Sequence, residues 1–348
     1  MPTISAQTLT DWVGQIFHAA GAPEEVAHLV ARSLVESDLA GHDSHGVVRV
    51  RQYLDSIERG DLDPQARPVL VSDHGAICLV DARRGFGQVA ARWAMEQGMA
   101  KARAHGLAAA GLFNCGHVGR LGEWVQMAAD GGLIALAFCN GGGITGAVAP
   151  FGGAARLLGT NPIAAAVPLG DRPPLVLDFA TSAVAEGKVR VARNRGQTIP
   201  EGWILDAQGH PTTDPNALYN GGMLLPTAGH KGYALSLLVE MLGGLLTGNG
   251  SPALGGHYRP GNGVLFLLLN VDAFRPLADF LVDSAALAAR TKAVPPAPGF
   301  QEVLLPGEPE QRIAAQRRAQ GISLDEATWQ LLCQAAQSLG VAVPPLPA

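Results

Sequence analysis

An imidazole, a hydroxyl and a guanidinium fall within six residues at Ser44, His45 and Arg49. If Asp43 or Ser44 caps a helix there, His45 and Arg49 lie four residues apart on one face. That pair suits a 2-oxo or 2-hydroxy acid. The guanidinium can grip the carboxylate through paired hydrogen bonds, while the imidazole, with an unperturbed pKa of ~6.5, can carry a proton to or from the C2 oxygen. The spacing alone more often marks a helix start with a solvated His and Arg. Two other chemistries are weaker: His42 and His45 lack a third metal ligand, and Ser44 lacks the preceding glycine of a G-x-S-x-G nucleophile elbow.

Further along, Gly85-Phe86-Gly87-Gln88-Val89-Ala90 fits the G-x-G-x-x-A dinucleotide fingerprint. A ribose-binding acid should end the next strand, yet 107–113 runs into Asn114, so the stretch reads as a structural turn. The segment from Asn114 to Trp124 carries His117 and three glycines between a strand end and a helix start, where backbone N–H groups can meet phosphate. Gly159-Thr160-Asn161-Pro162, Asp178-Phe179-Ala180-Thr181-Ser182 and Gly229-His230-Lys231-Gly232 also sit at predicted loop–helix junctions. Each is weak alone; together they describe a polar cleft at strand ends.

The elements that must position these residues fall into two kinds. Val26, Val30 and Leu34 recur at helical spacing after Pro23, and a second helix is predicted from Ser44 to Gly60. From Val69 onward, β-rich runs at 76–80, 133–138, 175–177 and 264–269 alternate with helical stretches at 89–104 and 234–246. This argues an α/β domain with a mixed or parallel sheet. Pro295, Pro296, Pro298, Pro306 and Pro309 keep a late segment extended before a helix at 323–340. The tail beyond that arm is too short for its own core and should fold back. We therefore expect a discontinuous helical domain from 1–68 with 306–348 and an α/β domain from 69–305.

The 348 residues carry 47% hydrophobic and only 16% charged side chains, which excludes a disordered or coiled-coil chain and suggests surface buried against another subunit. A net charge of −5 without a basic run argues against nucleic acid. The uncharged stretch 131–155 is broken by Pro150 and Gly152-Gly153, and 234–246 is short with Glu240 inside, so neither reads as a membrane span. Cys78, Cys115, Cys139 and Cys333 form no CxxC pair, and no signal peptide is read at the start; the expected setting is cytoplasmic.

Taken in order, Gly41-His42-Asp43-Ser44-His45-Gly46, the His117 loop, Ala149-Pro150-Phe151-Gly152-Gly153, Gly159-Thr160-Asn161-Pro162, Asp178 to Ser182, His230-Lys231-Gly232-Tyr233 and Pro306-Gly307-Glu308 resemble the type 2 malate/L-lactate dehydrogenase family. The resemblance covers nearly the whole chain, and it implies that the helical domain of 1–68 with 306–348 serves substrate and dimer contacts and the α/β domain of 69–305 binds the cofactor. It implies a homodimeric oxidoreductase using NAD or NADP on a cofactor fold that is not the usual Rossmann one, interconverting 2-oxo and 2-hydroxy acids without a metal. By motif match, His45, Gly119, Arg120, Leu121, Asp178, Phe179, Ala180, Thr181, Ser182, His230, Lys231, Asn262, Gly307, Glu308, Pro309 and Glu310 would line the cofactor. Arg49 and Thr160 would bind substrate; His45 would carry the proton with Ser44 orienting it, and His117 is the second candidate. Relatives that reduce cyclic imines carry an acid near Lys188, and many malate and lactate members have Phe at Val118, which implies a roomier pocket here. A cyclic ketimine reductase and a catalytically silent NAD(P)-binding scaffold are the competing readings.

Overall fold

The computed structural model describes residues 2–345 apart from 142–145 and 258. The chain opens with a short strand, β1 (Thr3–Ile4), and helix α1 (Ala6–Ala19), whose first turn is closed by the Ser5 side chain accepting from the Thr8 N–H. Pro23 precedes α2 (Glu24–Leu39), and Glu24 and Glu25 at its start favour the positive end of the helix dipole. After Gly41 come two single 3₁₀ turns, Asp43–His45 and Val47–Arg49, and then α3 (Val50–Glu58).

The α/β region follows. A hairpin of β2 (Val69–His74) and β3 (Ile77–Asp81) leads through α4 (Gly87–His105) to β4 (Leu107–Cys115). Then come α5 (Leu121–Asp130), β5 (Leu133–Asn140), β6 (Ile163–Leu169) and β7 (Arg172–Phe179). An excursion holds α6 (Glu186–Asn194), the short strands β8 (Ile204–Leu205), β9 (Pro211–Thr212) and β10 (Met223–Leu224), and α7 (Asn216–Tyr219) between β9 and β10. After α8 (His230–Val239) the chain returns as β11 (Asn262–Asn270) and leaves by α9 (Leu277–Lys292), the proline-rich arm, α10 (Glu308–Gln320), β12 (Ile322–Ser323) and α11 (Glu326–Ser338).

The main sheet has seven strands in the order β2-β3-β4-β11-β5-β6-β7. Among the described strands of this sheet only the β3–β4 pair is parallel, joined through α4, and β11 lies antiparallel between β4 and β5, with Leu267 beside Ala109 and Leu136. A Rossmann sheet is mostly parallel; this one is mixed. Strand alanines 108, 110, 135, 137, 164 and 166 leave room for α4 and α5 to pack closely, around Phe266, Leu112 and Trp124. A second core joins α1, α2 and α3 to the C-terminal α11: Leu9, Phe17, Leu34, Tyr53 and Leu54 share it with Leu332, Ala335 and Ala336, and β12 pairs with β1. The tail does fold back on the first three helices.

Two expected helices are interrupted. The stretch 234–246 is an α-helix only to Val239, and Glu240–Leu245 continues as a π-helix. There the buried Glu240 carboxylate accepts from Asn140 Nδ2 (3.1 Å) and Asn161 Nδ2 (2.8 Å), a long-range demand to which hydrophobic spacing is blind. The other interruption, at Gly46, shapes the site. Among the described residues no helix is long and apolar enough to cross a membrane.

Candidate active site

Gly46 is extended (φ −86°, ψ −153°) and separates the two 3₁₀ turns. An added Cβ would lie 1.7 Å from Asp38 Oδ1, so the buried carboxylate occupies the space of a side chain. Asp38 Oδ2 accepts the Val47 N–H at 2.9 Å, and burial pushes its carboxyl pKa well above the usual range. His45 and Arg49 are therefore not neighbours on one regular helix, as the spacing suggested. Arg49 instead folds back, Nε donating to the Ser44 carbonyl and Nη1 to Gln52 Oε1, both at 2.6 Å.

Ser44 Oγ is 2.9 Å from His45 Nδ1. The His45 ring lies 5.3 Å from the His117 ring, centroid to centroid, at 31° between planes. His117 Nδ1 meets the Tyr53 hydroxyl at 2.8 Å, and Gln88 Nε2 donates to that hydroxyl at 2.8 Å. Burial first, then the positive charge of Arg49, lowers the His45 pKa to about 3. The same two causes hold His117 well below its ordinary 6.5, and burial pushes Tyr53 up to about 12. At neutral pH both imidazoles are uncharged beside a guanidinium. Tyr53 and Gln88 were missed in the sequence. The only signals were that Tyr53 stands four residues after Arg49 and that Gln88 lies inside the glycine motif.

Candidate cofactor residues gather at the start of α5. Asn262 bridges the loop to β5, its Oδ1 accepting the Val118 N–H and its Nδ2 donating to the Asn140 carbonyl, both at 3.0 Å. Gly119 takes the left-handed conformation (φ +78°) just before Arg120 and Leu121. The Gly122 N–H donates to Asp178 Oδ2 at 2.7 Å, and a Cβ on Gly122 would meet both Asp178 and Arg120, so these two charged groups converge there. Arg120 is buried and its Nε has no partner among the described residues, a donor that fits an oxygen-rich or anionic ligand. His42 Nε2 is 3.6 Å from Glu310 Oε1.

Of the other candidates, Gly307, Glu308, Thr181 and Ser182 make contacts within the fold. Glu308 binds Lys292 Nζ with both oxygens at 2.7 Å, takes the Leu305 N–H at 3.0 Å and pairs with Arg312; these partners hold its carboxyl down at about 2. Gly307 is left-handed, and a Cβ there would press on Val176. Thr181 gives its N–H (2.9 Å) and hydroxyl (3.1 Å) to the Thr160 carbonyl, and Ser182 Oγ donates to the Val184 carbonyl at 2.9 Å. Phe179 is partly exposed. His230 and Lys231 stand exposed at the start of α8, where His230 meets Phe151 edge-on at 5.9 Å, a contact outside the His45–His117 pair. Among the described residues no three His, Cys, Asp or Glu side chains cluster as a metal site requires.

The family model for malate/L-lactate dehydrogenase matches residues 4–333. Hydroxycarboxylate dehydrogenase B of Escherichia coli O157:H7 is 39% identical over 342 residues, covering 97% of this chain and 94% of that protein. The L-lactate dehydrogenase of Cupriavidus necator is 38% identical over 352 residues, covering 98% and 99%. A solved structure described as a putative malate/lactate dehydrogenase from E. coli superposes with a TM-score of 0.90 at 37% identity, covering 98% of this chain and 96% of that one.

Proposed function

The chain belongs to the malate/L-lactate dehydrogenase family, and from that membership we propose that it interconverts a 2-hydroxy acid and a 2-oxo acid with NAD or NADP. The observation that carries the site assignment is the His45–His117 ring pair beside a guanidinium tethered to the Ser44 carbonyl. Arg49 spends Nε and one Nη1 hydrogen on holding itself in place, which leaves its outer nitrogens for a carboxylate. His45, neutral above about pH 3, accepts the C2 hydroxyl proton during oxidation. In reduction the imidazolium returns that proton to the carbonyl oxygen. A carboxylate bound at Arg49 offsets part of the charge that depresses His45 and so raises its proton affinity. Ser44 orients the ring through Nδ1.

When bound, the nicotinamide supplies or accepts the hydride at C2. Arg120 and Asp178, with Gly119, Leu121, Asn262 and Glu310, are the residues we assign to holding it; Arg120 would be the one to meet a 2′-phosphate. Thr160 backs the Asp178–Ser182 turn through its carbonyl. A homodimer is inferred from exposed apolar side chains on the sheet. The four free thiols Cys78, Cys115, Cys139 and Cys333 suit a reducing, cytoplasmic setting.

The test is nicotinamide absorbance followed across a panel of 2-oxo acids and one cyclic imino acid, with both cofactors. Oxidation of NADH or NADPH by a 2-oxo acid is expected. Turnover of the imino acid alone would replace this reading with ketimine reduction, and cofactor binding with no turnover would leave a scaffold.

A further inference from the structure

The glycine motif that resembles a dinucleotide fingerprint lies under His117. A Cβ on Gly87 would fall 2.3 Å from the His117 carbonyl oxygen and 2.4 Å from that of Gly116, so only a glycine lets the start of α4 approach the His117 loop. The Gly116 N–H donates to the Gly85 carbonyl at 3.0 Å, closing the same contact. Phe86 packs against Phe17 (5.5 Å) and Tyr53 (6.1 Å). The next residue, Gln88, is completely buried, and Nε2 is the end of its amide that bonds, to the Tyr53 hydroxyl.

That arrangement sets a direction. With Gln88 Nε2 donating to the Tyr53 oxygen, the phenolic proton is free to go to His117 Nδ1 at 2.8 Å. A neutral imidazole that accepts at Nδ1 carries its proton on Nε2. Among the described residues Gln88 Oε1 has no partner; turning the amide over would put an unpartnered NH2 group there instead, and unpartnered buried donors are rarer than under-satisfied carbonyls. Protonation of His117 would force its Nδ1–H toward Tyr53 and reverse both bonds of the relay.

We propose that Gln88 is a positioning residue for His117, acting through Tyr53 to hold the imidazole as its Nε2–H tautomer. His117 then gives a hydrogen bond to the substrate oxygen while His45 carries the proton. This division of labour rests on the 2-hydroxy acid reading; the tautomer itself does not.

The test uses full-length protein carrying ¹⁵N-histidine, with the His117 ring signals assigned by their loss in His117→Gln. Native enzyme should show a pyridine-type Nδ1 and a protonated Nε2 from pH 6 to 8. Gln88→Met, close in volume but without the amide, should mix the two tautomers. It should lower kcat about 10- to 100-fold, below the ~10⁴ of a fully inverted tautomer, with KM for the cofactor within twofold. Tyr53→Phe, which keeps the ring packing, should do the same if Gln88→Met does not fold. A protonated Nδ1 in native enzyme overturns the proposal, as does an unchanged His117 signal or an unchanged kcat in the folded variants. If native enzyme turns over no 2-oxo acid, the functional reading fails, and the ring signals still decide the tautomer.

Discussion

His45 is an unusual proton carrier because the free enzyme holds its pKa near 3, well under the ordinary 6.5. Two consequences follow from the sign of that shift. In the oxidation of a 2-hydroxy acid the neutral base is already present, so kcat/KM with NAD should stay level from pH 5 to 8. In reduction the protonated form is scarce and falls tenfold with each pH unit, so kcat/KM with NADH should fall at close to that rate over the same range. A level reduction profile would exclude His45 as the donor. His45→Ala should lower kcat by about 10²- to 10⁴-fold, the usual worth of a positioned acid–base group, while the dissociation constant of the cofactor, read by fluorescence titration, moves only a few-fold. Arg49→Lys should raise KM for the acid, since a point charge cannot make the paired contact; an unchanged KM would remove Arg49 as the anchor. Ser44, His45 and Arg49 stood out in the sequence as three reactive types within six residues and His117 by its glycine-rich loop, but the 5.3 Å approach of the two imidazole rings was not readable from positions so far apart. Tyr53 and Gln88 did not stand out, because a tyrosine and a glutamine on helices read as ordinary surface or core residues until the fold joins positions 53, 88 and 117.

At the scale of elements, what brings Ser44, His45 and Arg49 together is a break in a helix. The apolar periodicity of 44–60 was correctly read as helical in its second half, α3, but it carried no trace of Asp38 reaching across to the Val47 N–H. Gly46 was the one available hint, and a glycine between two helical stretches reads as a tolerated weak point. Gly46→Ala would drive a Cβ into the Asp38 carboxylate and displace a buried group from its hydrogen bond. A loss of about 2–4 kcal/mol is expected from such a clash, together with a raised KM for the acid because the Ser44 carbonyl no longer holds Arg49. Thermal denaturation and steady-state kinetics on the same sample check it, and a variant with native Tm and KM would show that the kink is incidental. The motif at Gly85 carries the same lesson from the other side: its glycines are required by a close approach of backbone to backbone, which a phosphate loop would also require, so sequence could not separate the two.

For the whole molecule, the alternation of strands and helices was enough to give an α/β class but left the sheet mixed or parallel, and it could not place β11 between β4 and β5, because that pairing joins strands more than 120 residues apart. The same sheet carries the surface we propose for a second copy. Cys78, Val80, Ala108 and Ala110 point toward α4, so by alternation Ile77 and Leu107 face the opposite side. There they are 55% and 51% exposed, on the side of the sheet packed by the π-helix, whose Met241 and Leu245 are also exposed, as is Leu246 just beyond it. At the rim, β2 is an edge strand carrying exposed Val69 and Val71. A free strand edge flanked by large apolar side chains, in a chain with so few charges, is a surface that a monomer would leave prone to aggregation. These side chains are already about half covered, so full burial contributes about 1–1.5 kcal/mol apiece, and a stable dimer must cover a wide patch of them to offset the freedom lost on association. Sedimentation equilibrium should therefore give twice the 36.0 kDa chain mass. Ile77→Lys with Met241→Lys should shift it to the single chain, and a double variant that remains a dimer would move the interface to another face of the molecule.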